Sequence, residues 1–115
     1  MLKMVIYHNP RCRKSREALA LVEEKGLSPQ IRLYLKEPLN KEELTGVLEK
    51  LGISAEALVR KGEAIYKETY KGQTLSEEEW IEAMVRHPKL IERPILEVGA
   101  KAVVGRPPER VLELL

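Results

Sequence analysis

The segment His8-Asn9-Pro10-Arg11-Cys12-Arg13-Lys14-Ser15-Arg16 holds the only cysteine of the chain, with four cationic side chains around it. A thiol reacts as its thiolate, and nearby cations together with a helix N-terminus favour that charged form. Asn9-Pro10 ends an apolar run, because proline removes a ladder donor and Asn-Pro favours a turn. Cys12 therefore falls at the first turn of the helix that follows, where orphan backbone N–H groups accommodate an anion. Ser15 completes Cys-x-x-Ser. Its hydroxyl is either a solvated first-turn group or a donor to the Cys12 sulfur one helical turn away. His8 reads equally as a helper base and as the polar end of a strand.

Thiolate formation alone gives little rate. A thiol whose pKa falls from ~8.5 to ~6.5 gains about 25-fold in thiolate at neutral pH, and a Brønsted slope of ~0.4–0.5 takes back roughly 6- to 10-fold of that. Catalysis by such a thiol rests on fixed donors that place and neutralise an electrophile. Arg60, Arg93 and Arg106 lie at the ends of predicted elements. Taken singly, each is an ordinary surface charge. Arg93 precedes Pro94 at the start of a strand, a place where a cis peptide can sit. No metal site is expected, because one cysteine with His8 and His87 far apart matches no ligand spacing. The chain holds no second thiol, so any disulfide chemistry must use an external one.

The elements that must hold these residues follow from periodicity. Lys3 to His8 reads as a strand, about Arg13 to Lys25 as a helix ended by Gly26, and Ile31 to Leu35 as a second strand closed by Pro38. That βαβ unit implies a parallel pair with a right-handed crossover. Between Pro38 and Pro88 the signals are helical. Asn40 with Glu43 forms a capping box for Lys41 to Leu51, and Ser54 opens a short helix to about Arg60. Ala64 to Tyr70 is a further short helix, and Ser76 with Glu79 opens Glu77 to Arg86. Pro94 to Val98, a Gly99-Ala100 turn and Lys101 to Val104 read as a hairpin. Gly105-Arg106-Pro107-Pro108 then breaks the sheet before a last helix, Glu109 to Leu115. The expectation is an α/β chain, βαβ then ββα, with a helical insertion between the two halves. It forms a single domain over 1–115 with an insertion subdomain at 38–90.

At 115 residues such a domain buries roughly two thirds of its unfolded surface. Twenty basic against eighteen acidic residues leave a net charge of +2, far short of a dedicated nucleic-acid binder, and no nucleic-acid partner is expected. The apolar runs are too short to cross a membrane, and the N-terminus lacks the h-region of a signal peptide. A lone cysteine fits a reducing compartment, so a cytoplasmic location is expected.

Together these residues resemble the glutaredoxin-coupled arsenate reductase family. The resemblance is carried by His8-Asn9-Pro10-x-Cys12-x-x-Ser15-Arg16, Leu58-Val59-Arg60-Lys61, Glu92-Arg93-Pro94-Ile95 and Gly105-Arg106-Pro107-Pro108. It implies a thioredoxin-like fold in which Cys12 is the nucleophile toward arsenate and Arg60, Arg93 and Arg106 bind the oxyanion. Guanidinium forks suit that role, matching a tetrahedral oxyanion two oxygens at a time. The resemblance further implies that His8, Ser15 and Arg16 stabilise the thiolate and that Pro94 is the cis-proline facing the site. No bound cofactor is implied: glutathione is the co-substrate and glutaredoxin clears the mixed disulfide. Two departures stand out. Arg13-Lys14 replaces the Gly-Thr of the well-known reductases and Glu17 replaces an Asn, which draws the chain toward the shorter branch of the family. Two other readings share the fold: a general glutathione-linked thiol oxidoreductase, and an Spx-type regulator that binds RNA polymerase.

Overall fold

The computed structural model describes residues 3–115; the first two residues of the expected 1–115 domain lie outside it. The chain divides into two compact units, one made of the described residues up to Glu37 with Arg93–Leu115, the other of Pro38–Glu92.

The first unit is built on a four-stranded mixed sheet in the order β2-β1-β3-β4. β1 (Met4–Tyr7) pairs in parallel with β2 (Gln30–Arg32) and antiparallel with β3 (Ile95–Val98), which pairs antiparallel with β4 (Lys101–Val104). α1 (Arg13–Glu24) makes the crossover between β1 and β2. Its residues Ser15, Ala18 and Val22 recur at helical spacing on the buried side,. Ala18 and Val22 close a core with Ile6, Leu96, Val103 and Val111. Val5 and Tyr7, on the opposite sheet face, are buried too, so β1 reads as a continuous apolar run rather than an alternating one. Gly99, with φ 58°, supplies the positive φ that a two-residue hairpin loop needs at its first position,.

Two elements of the first unit differ from the sequence expectation. The second strand is only Gln30–Arg32, because Leu33 O accepts from both Lys36 N (2.9 Å) and Glu37 N (2.8 Å) and turns the chain away. The last helix is a 3-10 helix, Pro108–Leu114. Its apolar residues explain that: Pro108, Val111 and Leu114 recur every third residue, the spacing at which 3-10 side chains line up, and Val111 is fully buried,.

The second unit is helical: α2 (Lys41–Leu51), α3 (Ala55–Leu58), a π-helical turn at Tyr66–Tyr70 and α4 (Glu77–Arg86). Asn40 with Glu43 and Ser76 with Glu79 both form complete capping boxes. Lys41 pairs with Glu78 between α2 and α4, and Trp80 packs between Tyr66 and Tyr70. A single antiparallel bridge, Val59 to Ile91, runs through this stretch where the sequence offers no strand. Among the described residues no helix is long and apolar enough to cross a membrane.

Candidate active site

Sheet register gathers the chemistry-bearing residues of the first unit at one edge. Tyr7 pairs with Ile95 and Ile95 with Val104. The chain leaving β1 toward Cys12, the chain entering β3 through Arg93-Pro94 and the chain leaving β4 through Gly105-Arg106 therefore share one end of the sheet. β2, parallel to β1, delivers the turn Leu33–Glu37 to the same end.

Cys12 is the N-cap residue of α1. Its backbone is extended (φ −92°, ψ 121°), its N–H donates to Asn9 O at 3.0 Å, and its carbonyl accepts from Arg16 N at 3.0 Å. Asn9-Pro10-Arg11-Cys12 is thus a β-turn with proline at its second position. Two further bonds hold it: Arg11 N donates to Asn9 Oδ1 (3.0 Å) and the Arg16 guanidinium to Pro10 O (2.8 Å). No side chain caps α1, and its first turn contains no acidic residue. The orphan N–H groups of that turn face the region of the half-buried thiol without a capping side chain,.

The Ser15 hydroxyl does not bond the sulfur. It lies 2.6 Å from His8 Nδ1 and accepts from Asn9 N–H at 3.0 Å. Ser15 is fully buried and His8 almost so. Both Ser15 bonds are made when its hydroxyl donates to Nδ1 and His8 carries its proton on Nε2,. Burial first, and then the Arg16 charge, lower the His8 pKa from its ordinary 6.5. Both effects favour the neutral imidazole, and the ring acts on the turn through its bond to Ser15. The cationic patch is thinner than the sequence suggests in another way: Arg13 pairs with Glu17 at 2.8 Å.

Arg93 and Arg106 come together. The Arg106 guanidinium donates to Arg93 O at 3.1 Å, and the Arg93-Pro94 and Arg106-Pro107 peptides are both cis. Arg93 Nε is buried with no hydrogen-bond partner among the described residues, a costly state for a guanidinium N–H. Gly105 makes this packing possible: its N–H donates to Pro94 O at 2.8 Å, and a Cβ there would lie 3.0 Å from Pro94 Cγ and 3.1 Å from Val111 Cγ1. Arg60 belongs to the second unit, where it pairs with Glu63 at 3.6 Å and its N–H donates to Leu90 O. Among the described residues no three His, Cys, Asp or Glu side chains are grouped to hold a metal.

Sequence reasoning missed the double role of Asn9 and the packing role of Gly105. A signal existed for Asn9, since Asn before Pro favours an Asx turn; none existed for the Gly105 contact, which is tertiary.

Comparison with known proteins decides the family. The ArsC family model matches residues 7–114. This chain belongs to the ArsC family. The uncharacterised protein YfgD of Escherichia coli K12 is 51% identical to it, over 100% of this chain and 99% of that protein. An arsenate reductase of Haemophilus influenzae is 46% identical over 99% of this chain and 100% of its own length. The solved structure of an arsenate reductase from Vibrio cholerae superposes with a TM-score of 0.95 at 47% identity, over 99% of this chain and 98% of that one. The ArsC chain thus has the thioredoxin-like α/β architecture, with βαβ and ββ halves on either side of a helical insertion, and is an arsenate reductase-like thiol oxidoreductase.

Proposed function

We propose that this ArsC-family protein reduces arsenate to arsenite in the cytoplasm, with Cys12 as nucleophile and with glutathione and glutaredoxin as the source of electrons. The observation that carries this reading is the uncapped, acid-free N-terminus of α1 at Cys12, set on the same sheet end as Arg93, whose buried Nε lacks an acceptor. Both features favour an anion beside the thiol.

In the first step the Cys12 sulfur attacks arsenic, an As–O bond breaks and water leaves, giving a Cys12–S–As(V) adduct. In the second, the sulfur of a glutathione thiol bonds to the Cys12 sulfur. The S–As bond breaks with its electron pair staying on arsenic, so As(V) becomes As(III) and arsenite departs from a Cys12–glutathione disulfide. Glutaredoxin then takes the glutathione and returns the Cys12 thiol. Arg93 and Arg106 hold the oxyanion, with Arg60 a third oxyanion-binding residue on the strength of the family resemblance. Arg16, Ser15 and His8 keep the turn rigid so that the sulfur and the α1 N–H groups keep their places. Pro94 orders the chain next to Arg93.

The test is arsenate-dependent NADPH consumption coupled through glutathione, glutaredoxin and glutathione reductase. The wild type is expected to turn over and Cys12→Ala to fall to background. No turnover above that variant would overturn the arsenate reading, and turnover of a glutathione mixed disulfide in its place would make the protein a general thiol oxidoreductase.

A further inference from the structure

The second step of the proposed cycle brings a thiol molecule to the Cys12 adduct, and the structure contains a candidate place for it. A cavity of about 390 Å³ is lined by His8, Asn9, Pro10, Arg11, Leu33, Leu35 and Lys36. It lies wholly within the first unit, between the β-turn that ends in Cys12 and the turn that follows β2. Its lining runs up to Arg11, the residue next to the nucleophile. Its size belongs to pockets for small organic ligands, roughly 300–1,000 Å³, rather than to a bare tetrahedral oxyanion.

The lining has a definite chemistry. Among the described residues its two charged side chains are both cations, Arg11 and Lys36, and no carboxylate lines it. Both are exposed, and among the described residues neither forms an ion pair: Arg13 and not Arg11 takes Glu17, and the Leu33 turn uses only the Lys36 backbone. Pro10, Leu33 and Leu35 supply apolar wall, with Leu35 38% exposed. A ligand that fits has a partly apolar body and carboxylates at its ends.

We propose that this cavity binds the thiol co-substrate, a small peptide thiol, with Arg11 and Lys36 holding its carboxylates and Leu33 and Leu35 covering its backbone. The assignment rests on the proposed function for the identity of the ligand. It gives the turn after β2 a task that the oxyanion site leaves untouched, and it gives Arg11 a role separate from the thiolate. Held there, the thiol is delivered to the Cys12 side of the turn, its sulfur forming the S–S bond as the S–As bond breaks.

The test uses S-methylglutathione, which carries the carboxylates but cannot react, titrated into the intact protein by calorimetry or NMR. Binding to wild type is expected. Arg11→Ala/Lys36→Ala should weaken it by about tenfold, as for the loss of two charge-assisted contacts, and Arg11→Lys/Lys36→Arg should retain most of it. The diethyl ester of the same ligand should bind wild type and the double alanine variant equally weakly. Absence of binding to wild type at millimolar ligand, or equal binding to wild type and the double alanine variant, would overturn the assignment even in a protein that reduces arsenate. Binding with the expected charge dependence in a protein that fails the NADPH assay would uphold the cavity and overturn the arsenate reading instead.

Discussion

The helices α1 and α4 begin in opposite ways. α4 opens with Ser76, whose hydroxyl accepts from Glu79 N–H, and carries Glu77, Glu78 and Glu79 in its first turn; its capping box satisfies two orphan donors and its dipole is met by negative charge,. α2 repeats the arrangement with Asn40, Glu42 and Glu43. α1 opens with Cys12, which caps nothing, followed by Arg13 and Lys14. By the rules that stabilise helices its start is wrong in every respect, and an anion at the sulfur would satisfy all of it. Where α2 and α4 are closed by their own side chains, α1 is left open, and the turn before it is held by the buried His8–Ser15 bond and the half-buried bond from Asn9 N–H to Ser15.

Breaking the support of the open helix has the largest effect on stability. Ser15→Ala leaves the buried His8 Nδ1 and the half-buried Asn9 N–H without their partner, and urea unfolding should show a loss of about 1–3 kcal/mol along with a fall in arsenate turnover. An unchanged midpoint would mean that the turn stands without it. Next come the caps themselves, which should respond with opposite signs. Ser76→Ala is expected to cost about 1 kcal/mol and to spare turnover, whereas Cys12→Asp, which gives α1 the cap it lacks, should add about 1 kcal/mol while abolishing turnover. If Cys12→Asp proved less stable than wild type, the helix start would not be the sacrificed element described here.

The smallest effect is that of pH. The folded His8 pKa lies below 6.5, so in the window between the two values the unfolded chain binds more protons than the folded one. Stability from His8 is complete above 6.5, declines as pH falls through the folded value, and is constant again below it. The difference between wild type and His8→Asn, followed by urea unfolding across that window, should decline with falling pH; a difference that grew would mean that His8 is held as a cation.

Much of this was legible in the chain. Asn40 and Ser76 mark helix starts with side-chain chemistry that acts within a few residues, and α2 and α4 fall where those signals place them. The Cys12 position was legible for the same reason, as the first turn after Asn9-Pro10. What was not legible depends on contacts between distant segments. Spacing alone offered Ser15 to the sulfur, but β1 brings His8 closer. Alternation extended β2 to Leu35, but the Leu33 carbonyl takes two donors and turns the chain. The period of three in Pro108, Val111 and Leu114 was present in the sequence and signals a 3-10 helix. The link from Arg106 to the Arg93 carbonyl has no sequence signature, since it follows from the register of β3 on β4.

The central claim is that an oxyanion occupies the open start of α1 beside Cys12 with Arg93 as its partner. The direct measurement is the rate of Cys12 alkylation by iodoacetamide as arsenate is added, without any reducing thiol present. The account predicts a saturable slowing in the wild type that is lost in Arg93→Ala. Alkylation at the same rate with and without arsenate would contradict it.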